Sequence, residues 1–385
     1  MKLTMLGVAG YRRLTDVGLP LRELNVLIGP NGSGKTSFLE ILQLLREAMQ
    51  QKLSEGLEKL GGLSAILSRV SGAPGDVVVH LSVDVESERS REPMYYRFDL
   101  TPRGVSYVIS SERLEWQREP SVSTPFVYID ARYEDVRYYG PYEAGIHSEP
   151  DEHRFGELAL AQFSFGKEVN ALRSYLASSL LLSSLDIGPR AIVRLPQTLT
   201  PATTPGPNGE NLYSALYNLR ATQEGSYQRI EDVLKIAFPG FRRLEFPVVG
   251  AGSVALAWYQ DEFGSPLWTN QLSEGTLRFL WLATALLSPN PPPIILIDEP
   301  EVSLHPELLK LLAGLMQDAA TRGQLIVATH AAELVRWLQP GEIVVLDNVE
   351  GETRCIRADT LDLGEWLREY TLGELWLMGT LGGRP

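Results

Sequence analysis

Apolar and polar positions alternate along much of the first third of the chain. Four alternating stretches lie between Asp76 and Ile129, namely VVVHLSVDV, MYYRFDL, GVSYVIS and FVYID. A period of two is typical of half-buried strands. The pattern therefore predicts a meander of antiparallel strands in this part of the chain.

A short apolar run precedes a segment with helical spacing near the N-terminus. The run is Leu24–Gly29 (LNVLIG), and apolar residues then recur three and four positions apart within Lys35–Gln50. This order predicts a strand, a turn and a helix. The following segment, Lys52–Ser71, favours neither a helix nor a strand.

The pattern changes to helical spacing between about Glu157 and Phe238. Within it, Ala171–Leu185 is rich in Leu, Ala and Ser, and both Asn211–Ala221 and Tyr227–Ala237 have helical patterns. Four prolines interrupt Arg194–Glu210, which predicts a loop.

The last third of the chain alternates between strand and helix patterns. Strands are predicted at Arg242–Val249, Ser253–Tyr259, Ile294–Ile297, Gln324–Ala328 and Glu342–Asp347, and helices are predicted from about Ser273 to Leu287 and from Pro306. Continuous apolar strands that alternate with helices are typical of a parallel sheet covered on both faces. The chain is therefore expected to have an α/β fold.

Composition narrows the classes of function. The 385 residues are 44% hydrophobic and 22% charged, which excludes a disordered chain, and the net charge of −13 argues against coating nucleic acid through bulk charge. A local basic patch remains open. The single cysteine, Cys355, cannot form an intrachain disulfide and indicates a reducing compartment. The longest apolar run, Phe279–Ser288, is too short to span a bilayer, so we expect a cytoplasmic protein without membrane insertion.

The segment after the first apolar strand matches the phosphate-binding pattern G-x-x-x-x-G-K-[ST] without mismatch. Its glycines permit close approach of the backbone to phosphate oxygens, and the helix that follows presents a positive N-terminus to an anion. Lys35 is expected to reach the β- and γ-phosphates of ATP, and Thr36 to ligate Mg²⁺. The predicted nucleotide-binding residues are Gly29, Pro30, Asn31, Gly32, Ser33, Gly34, Lys35, Thr36 and Ser37.

Two carboxylates end the strand predicted at Ile294–Ile297. Asp298 is expected to hold Mg²⁺ through its water shell, and Glu299 to orient or deprotonate the attacking water. Four apolar residues followed by Asp-Glu are a weak signal alone, since a polar turn after a strand gives the same pattern. Together with the phosphate loop the signal becomes strong.

Two further motifs complete a family resemblance. Gln271–Thr276 (QLSEGT) opens a helix just before the acidic strand, and Val327–His330 (VATH) ends a strand after it. The order of phosphate loop, signature, acidic strand and histidine resembles that of ABC-type ATPases. The start YRRL at residues 11–14, the turn EPEVSLHP at 299–306 and the segment GENL at 209–212 resemble the RecF/SMC-like group, in particular stand-alone ATPases related to the ATPase part of OLD-family nucleases.

The resemblance implies roles for further residues. Ser273 and Gly275 would contact the γ-phosphate of ATP bound to a second subunit, and the Glu274 side chain would point away from it. His330 would sense the γ-phosphate, and Gln162 would contact Mg²⁺ and the attacking water. The implied catalytic residues are Glu299, His330 and Lys35, and the implied metal-binding residues are Thr36, Asp298 and Gln162.

The same resemblance implies the organisation of the chain. It is expected to be a single ABC-type ATPase head over 1–385, of the P-loop NTPase and SMC-head-like class. Residues 1–150 would hold the phosphate loop and an antiparallel β lobe, 151–240 a helical insertion, and 241–385 the signature, the acidic strand and the switch histidine.

The implied function is an ATP-hydrolysing molecular switch that forms a homodimer around ATP and Mg²⁺. It would control a DNA transaction or a separately encoded effector, in DNA repair, chromosome maintenance or defence against mobile elements. The alternative is the ATPase subunit of a membrane transporter, which the long insertions between Gly61 and Tyr259 disfavour. A self-contained OLD-type nuclease is not expected, because about 37 residues follow Asn348 and a Toprim domain needs more than about 50. A nucleotide-binding module without turnover is disfavoured by the intact Lys35, Asp298 and Glu299.

Several isolated residues admit both functional and ordinary interpretations. Two arginine pairs, at 12–13 and 242–243, are candidates for a nucleic-acid contact. His305 is either a dimer contact or the start of a helix. A metal site between His147 and His153 is less favoured than a solvated loop.

Overall fold

The computed structural model describes residues 1–69, 78–87, 90–116, 125–139, 146–148, 156–349 and 352–383. These fall into two compact units. The first unit is Met1–Ser179 with Gly341–Asp362 and Met378–Pro385, and the second is Leu180–Pro340 with Leu363–Leu377. The chain therefore leaves the first unit after Ser179 and returns to it at Gly341.

Twenty strands are present in the described part of the chain. Numbered β1 to β20 in chain order, they are Lys2–Tyr11, Leu14–Pro20, Leu24–Ile28, Val79–Ser87, Ser90–Arg103, Ser106–Trp116, Phe126–Arg132, Asp135–Tyr139, Ile146–Ser148, Ser179–Leu182, Gln197–Thr198, Phe241–Glu245, Val248–Gly250, Ser253–Val254, Ala257–Gln260, Leu267–Trp268, Ile294–Asp298, Gln324–Ala328, Ile343–Val349 and Glu352–Arg357.

Eleven α-helices are present in the same described ranges. Numbered α1 to α11, they are Lys35–Met49, Leu53–Lys59, Leu63–Ile66, Ala159–Gln162, Lys167–Leu176, Leu212–Thr222, Glu224–Ala237, Glu274–Leu286, Pro306–Ala320, Ala332–Val335 and Leu372–Leu377.

The first unit contains an eight-stranded antiparallel sheet in the order β2-β1-β4-β5-β6-β7-β8-β9. The predicted meander is confirmed from β4 onward, and burial alternates along β4 as the sequence pattern requires. The two N-terminal strands extend the sheet because β1 pairs with β4.

The phosphate loop of the first unit follows the fully buried strand β3. β3 pairs in parallel with β19, and β19 pairs antiparallel with β20, which the sequence pattern did not predict. Helix α1 begins at Lys35, as predicted, and buries an apolar face that includes Phe38, Ile41 and Leu42. The ambiguous segment after it forms the two short helices α2 and α3.

The second unit is built around the parallel pair of strands β17 and β18, which run in register from Ile294 opposite Gln324 to Asp298 opposite Ala328. Helix α8 contributes ten buried residues to the core, and it contacts α9. The predicted strand–helix alternation of this region is confirmed.

Three predictions of local structure are wrong. The strand predicted at Ser253–Tyr259 is divided between β14 and β15. The segment Ala171–Leu185 is not helical throughout, because α5 ends at Leu176 and Ser179–Leu182 forms β10, two of whose leucines are buried. The predicted strand Arg242–Val249 is divided between β12 and β13, since Pro247 lacks the N–H that a continuous ladder needs.

Candidate functional site

The backbone of the phosphate loop lies in conformations that require glycine. The φ angles of Gly29, Gly32 and Gly34 are 150°, 73° and 101°. A Cβ atom on Gly29 would lie 2.1 Å from the carbonyl oxygen of Leu346, and one on Gly34 would lie 2.9 Å from a methyl carbon of Leu14. Packing within the first unit therefore demands glycine at positions that the motif also requires for phosphate approach.

Lys35 is held inside the loop rather than extended into solvent. Its side chain is buried, and Nζ donates hydrogen bonds to the carbonyl oxygens of Gly29 (2.7 Å) and Pro30 (2.9 Å). The loop thus places an ammonium group over its own concave backbone. This position suits a cation that contacts terminal phosphates.

The loop has donors that fit an anion. Helix α1 has no side-chain cap and no acidic residue in its first turn, so the N–H groups at its start are not satisfied by a capping side chain. The buried hydroxyl of Ser33 has no hydrogen-bond partner within the described residues. Thr36 is exposed at the start of the helix, while Ser37 is buried. The cradle therefore fits the phosphates of a nucleotide, with the Thr36 hydroxyl accessible to a metal ion.

The arginines near the N-terminus lie beside this loop. Arg12 forms an ion pair with Glu40 of α1 at 3.1 Å. The guanidinium carbon of Arg13 lies 3.8 Å from the position of a Cβ on Gly32. Arg13 is therefore a neighbour of the phosphate loop, in addition to being part of the YRRL start and a candidate for a nucleic-acid contact.

The acidic strand of the second unit presents its carboxylates at its C-terminal end. Asp298 is the last residue of β17, and Glu299 is exposed at the first position of the turn that follows. The φ of Glu299 is 47°, in a region that non-glycine residues seldom adopt. Its N–H donates to the carbonyl oxygen of Ala328 at 2.8 Å. The turn is thus attached to the end of the neighbouring strand β18.

His330, which the family resemblance assigns as a switch histidine, follows β18 and is connected to the same turn. The backbone N–H of His330 donates to Oε1 of Glu301 at 2.8 Å. The other carboxylate oxygen of Glu301 is buried without a partner within the described residues. The structure therefore brings Asp298, Glu299 and His330 to one edge of the parallel pair, as the family motifs imply.

The signature segment forms a capped helix start. Ser273 is the N-cap of α8, and its exposed Oγ accepts a hydrogen bond from the N–H of Thr276 at 3.1 Å. The carboxylate of Glu274 accepts a hydrogen bond from the hydroxyl of Ser303 in the acidic turn. A Cβ on Gly275 would lie 2.5 Å from the carbonyl oxygen of Ser303. Close packing against the acidic turn thus explains the glycine of this motif.

A buried arginine joins the signature helix to the acidic turn. Arg278 is 3% exposed, and its Nη2 donates to the carbonyl oxygen of Glu299 at 2.8 Å. Burial lowers the pKa of Arg278 below its ordinary value, and nearby carboxylates, with Glu301 the strongest, oppose that shift. The sequence analysis assigned no role to Arg278 or to Glu301, although Glu301 lies within the turn EPEVSLHP. The available signal was a single charged residue within the otherwise apolar run that starts at Leu277.

Gln162 lies in the first unit at the end of the short helix α4. Its Nε2 donates to the carbonyl oxygen of Glu157 at 2.7 Å. The start of α4 is capped by a carboxylate from the antiparallel sheet, because Glu112 accepts hydrogen bonds from the N–H groups of Ala159 (2.6 Å) and Leu160 (2.9 Å). The role of Gln162 as a contact to Mg²⁺ remains a prediction.

The remaining candidates have ordinary roles in the structure. Arg242 and Arg243 form ion pairs with Asp261 and Glu245. His305 caps α9, as the helix-start alternative supposed. Burial raises the pKa of the Cys355 thiol to about 12, which opposes a nucleophilic role.

Neither a metal-binding cluster nor a membrane-spanning helix is found in the described part of the chain. No group of three or more His, Cys, Asp or Glu side chains there is placed to hold a metal ion. The His153 end of the loop considered as a metal site lies outside the described residues, as do Glu149, Asp151 and Glu152. None of the described helices has the length and apolar character needed to cross a membrane.

Solved structures with a similar fold include SMC heads. The SMC head bound to the C-winged helix domain of ScpA has a TM-score of 0.59 at 13% identity, with 96% of this chain and 100% of that chain covered. The Smc head domain with an extended coiled coil, bound to the C-terminal domain of ScpA and derived from Pyrococcus furiosus, has a TM-score of 0.56 at 11% identity, with 96% and 100% covered. These likenesses confirm the predicted α/β P-loop NTPase fold of the SMC-head class.

Comparison with protein families gives a match over most of the chain. Residues 24–336 match the family described as "AAA domain, putative AbiEii toxin, Type IV TA system". A search of curated proteins found no match. The phosphate loop and the P-loop NTPase fold agree with this match, which shows that the chain belongs to that AAA-domain family.

Proposed function

We propose that the protein is an ATP-hydrolysing molecular switch that forms a homodimer around ATP and Mg²⁺. The observation that carries the proposal is the phosphate loop, where a buried lysine, three glycines of positive φ and an uncapped helix N-terminus form one cradle. Such a cradle suits the phosphates of a nucleoside triphosphate, because donors and positive potential converge on one anion.

Hydrolysis is assigned to the acidic turn. Glu299 is exposed and fixed through both of its backbone polar groups, so its carboxylate can accept a proton from water that attacks the γ-phosphate. His330 would contact the γ-phosphate and report its presence to the turn through Glu301. When bound, Mg²⁺ neutralises charge on the phosphates, and Thr36, Asp298 and Gln162 are the residues that would hold it.

The homodimer is proposed because the chain has two helix starts suited to phosphate. Helix α1 serves the phosphate loop of the same subunit. The exposed start of α8, with Ser273 and Gly275, would serve the γ-phosphate of ATP on a second copy. ATP would then act as the ligand that stabilises the dimer, and hydrolysis would release it.

The output of the switch is proposed to be control of DNA or of a separately encoded effector. The family description names a type IV toxin–antitoxin system, which supports a defence setting over membrane transport. ATP turnover with and without double-stranded DNA separates the two outputs. Stimulation by DNA would support direct DNA control, and its absence would favour an effector protein.

The variant Lys35→Ala tests the proposed site. Removal of the ammonium group that faces the terminal phosphates is expected to lower ATP affinity by at least about 100-fold and to abolish turnover. Titration with a fluorescent ATP analogue and release of inorganic phosphate measure the two effects. Lys310→Ala is a matched control on the exposed face of α9, and unchanged ATP binding in Lys35→Ala would place the nucleotide elsewhere.

A further inference from the structure

The acidic turn in the second unit is held from two sides. On one side, Glu299 and Glu301 bond to the end of strand β18 and to the loop that carries His330. On the other side, the signature helix contributes Arg278 to the Glu299 carbonyl and Glu274 to the Ser303 hydroxyl. The turn therefore lies between the two motifs that the proposed switch assigns to the γ-phosphate.

Arg278 is placed differently from an ordinary surface arginine. Its guanidinium is buried, its Nη2 is bonded to a backbone oxygen, and its Nε has no partner within the described residues. A buried guanidinium is costly unless its charge and its donors are used. Carboxylates of the signature and of the acidic turn lie near enough to favour its charge, and they offset part of the cost of burial.

The bond from Arg278 also constrains the conformation of Glu299. A residue with φ of 47° stays in that conformation only where its surroundings determine it. Its N–H is fixed by Ala328 and its carbonyl by Arg278. The direction of the Cα–Cβ bond of Glu299 follows from these two bonds, because they set the peptide planes on both sides of its Cα.

We propose that Arg278 is a positioning residue that orients Glu299 for hydrolysis and links the signature helix to the carboxylate of the same subunit. The inference rests on the proposed ATPase switch. It adds a connection, within one chain, from the start of α8 to Glu299. Engagement of the start of α8 by the second copy's ATP would act on Glu299 through Arg278. The two sites of a dimer would thereby hydrolyse ATP together rather than independently.

The test uses Arg278→Met and Arg278→Lys in the full chain. Arg278→Met is expected to lower kcat by about 100-fold while the affinity for an ATP analogue changes by less than about threefold, since displacement of a catalytic group harms chemistry before binding. Arg278→Lys keeps the positive charge but lacks the planar guanidinium group with its several donors. Its kcat is expected to fall by about tenfold.

A second background separates positioning from folding. In Glu299→Gln, the added Arg278→Met change is expected to alter the residual turnover by less than about twofold, because the group that Arg278 positions is already absent. A purely structural role would instead lower turnover by the same factor in both backgrounds. That additive outcome would overturn the inference.

Arg322→Met is the matched control. Arg322 also has a buried Nε without a partner in the described residues, and it donates to the carbonyl of Leu286 at the other end of α8. Its kcat is expected to stay within about twofold of the parent, because its bond is remote from the turn. If Arg278→Met does not fold, Arg278→Lys is used to test the inference. A normal kcat in Arg278→Lys would overturn it.

Failure of the inference differs from failure of the proposed function. Turnover that persists in Lys35→Ala would refute the proposed site itself. Loss of turnover in both Lys35→Ala and Glu299→Gln, with normal kcat in both Arg278 variants, would refute only the assignment of Arg278.

Discussion

Glu299 combines an exposed carboxylate with a backbone conformation that favours glycine. A φ of 47° costs on the order of 1 to 3 kcal/mol for a residue with a side chain. A glycine would relieve this strain but would remove the carboxylate. The sequence thus keeps at this position a residue that the proposed hydrolysis requires and local stability disfavours.

Gly275 tests the contact between the signature helix and the acidic turn. In Gly275→Ala, the added methyl group would lie 2.5 Å from the Ser303 carbonyl oxygen, so the turn or the helix must shift. We expect kcat to fall by about tenfold and the free energy of unfolding to fall by roughly 1 to 3 kcal/mol. Phosphate release and thermal unfolding measure these changes.

Gly314→Ala is the control for that substitution. Gly314 lies on the exposed face of helix α9, and apart from its chain neighbours and the nearby backbone of the helix itself, no atom lies within 4 Å of its added Cβ. The control is expected to keep its turnover and to gain up to about 1 kcal/mol of stability from helix propensity. Equal turnover in the two variants would show that the close contact at Gly275 has no consequence for catalysis.

Residues that the sequence identified belong to motifs of fixed local spacing. Lys35 and Ser273 are examples, because the strand or helix beside each sets its position. The roles of Arg278 and Glu301 could not be found in this way. Their bonds join residues 21 and 29 positions apart, and only the packed turn brings the partners together.

Helix α4 depends on a carboxylate from the antiparallel sheet. Glu112 lies on β6, is 1% exposed, and accepts hydrogen bonds from the first two N–H groups of α4 and from the Tyr96 hydroxyl at 2.9 Å. Burial raises the pKa of Glu112 to about 7, and these hydrogen bonds moderate the rise. The element that carries Gln162 is therefore attached to the sheet by a titrating group.

This arrangement predicts a pH dependence of stability. Because the folded-state pKa of about 7 lies above the ordinary value of 4.5, the folded state binds the proton more tightly. The contribution of Glu112 is thus fully present below about pH 4.5 and is lost as pH rises through 7, by roughly 3 kcal/mol at most.

Denaturant unfolding between pH 4.5 and 8 measures this loss in the parent chain and in Glu112→Gln. The variant cannot titrate at this position, so the difference between the two curves isolates Glu112. Parallel curves over this pH range would contradict the assigned pKa direction.

The elements themselves were predicted where one pattern dominates. The alternation along β4 and the apolar run of β17 gave the observed strands, whereas β10 was missed because its four residues follow a helix of similar composition. Pro247 divided a predicted strand for a reason that was visible in the sequence. Strand β20 has an alternation too short to separate from a loop.

At the scale of the whole molecule, the motifs are distributed over two compact units. The phosphate loop and Gln162 belong to the first unit, and the signature, the acidic turn and His330 belong to the second. The order of these motifs along the chain allowed the sequence to predict the fold class. The motif order did not predict the division into units, because the first unit is formed by three separate parts of the chain.

Part of the net charge of −13 lies at the candidate site. Asp298, Glu299 and Glu301 account for part of the acidity, and all three act on the charge of the buried Arg278 in the second unit. The overall charge therefore reports little about a DNA contact, and the ATP-dependent dimer is the more direct object of test.

The mass of Glu299→Gln in solution, measured by light scattering with saturating ATP and Mg²⁺, tests the central claim most directly. Loss of the water-activating carboxylate should trap ATP and hold two copies together, so we predict a mass twice the 42.7 kDa of one chain. The double variant Lys35→Ala with Glu299→Gln should remain at the mass of one chain, because it cannot retain ATP. A mass of 42.7 kDa for Glu299→Gln itself, with bound ATP confirmed, would contradict the ATP-held homodimer.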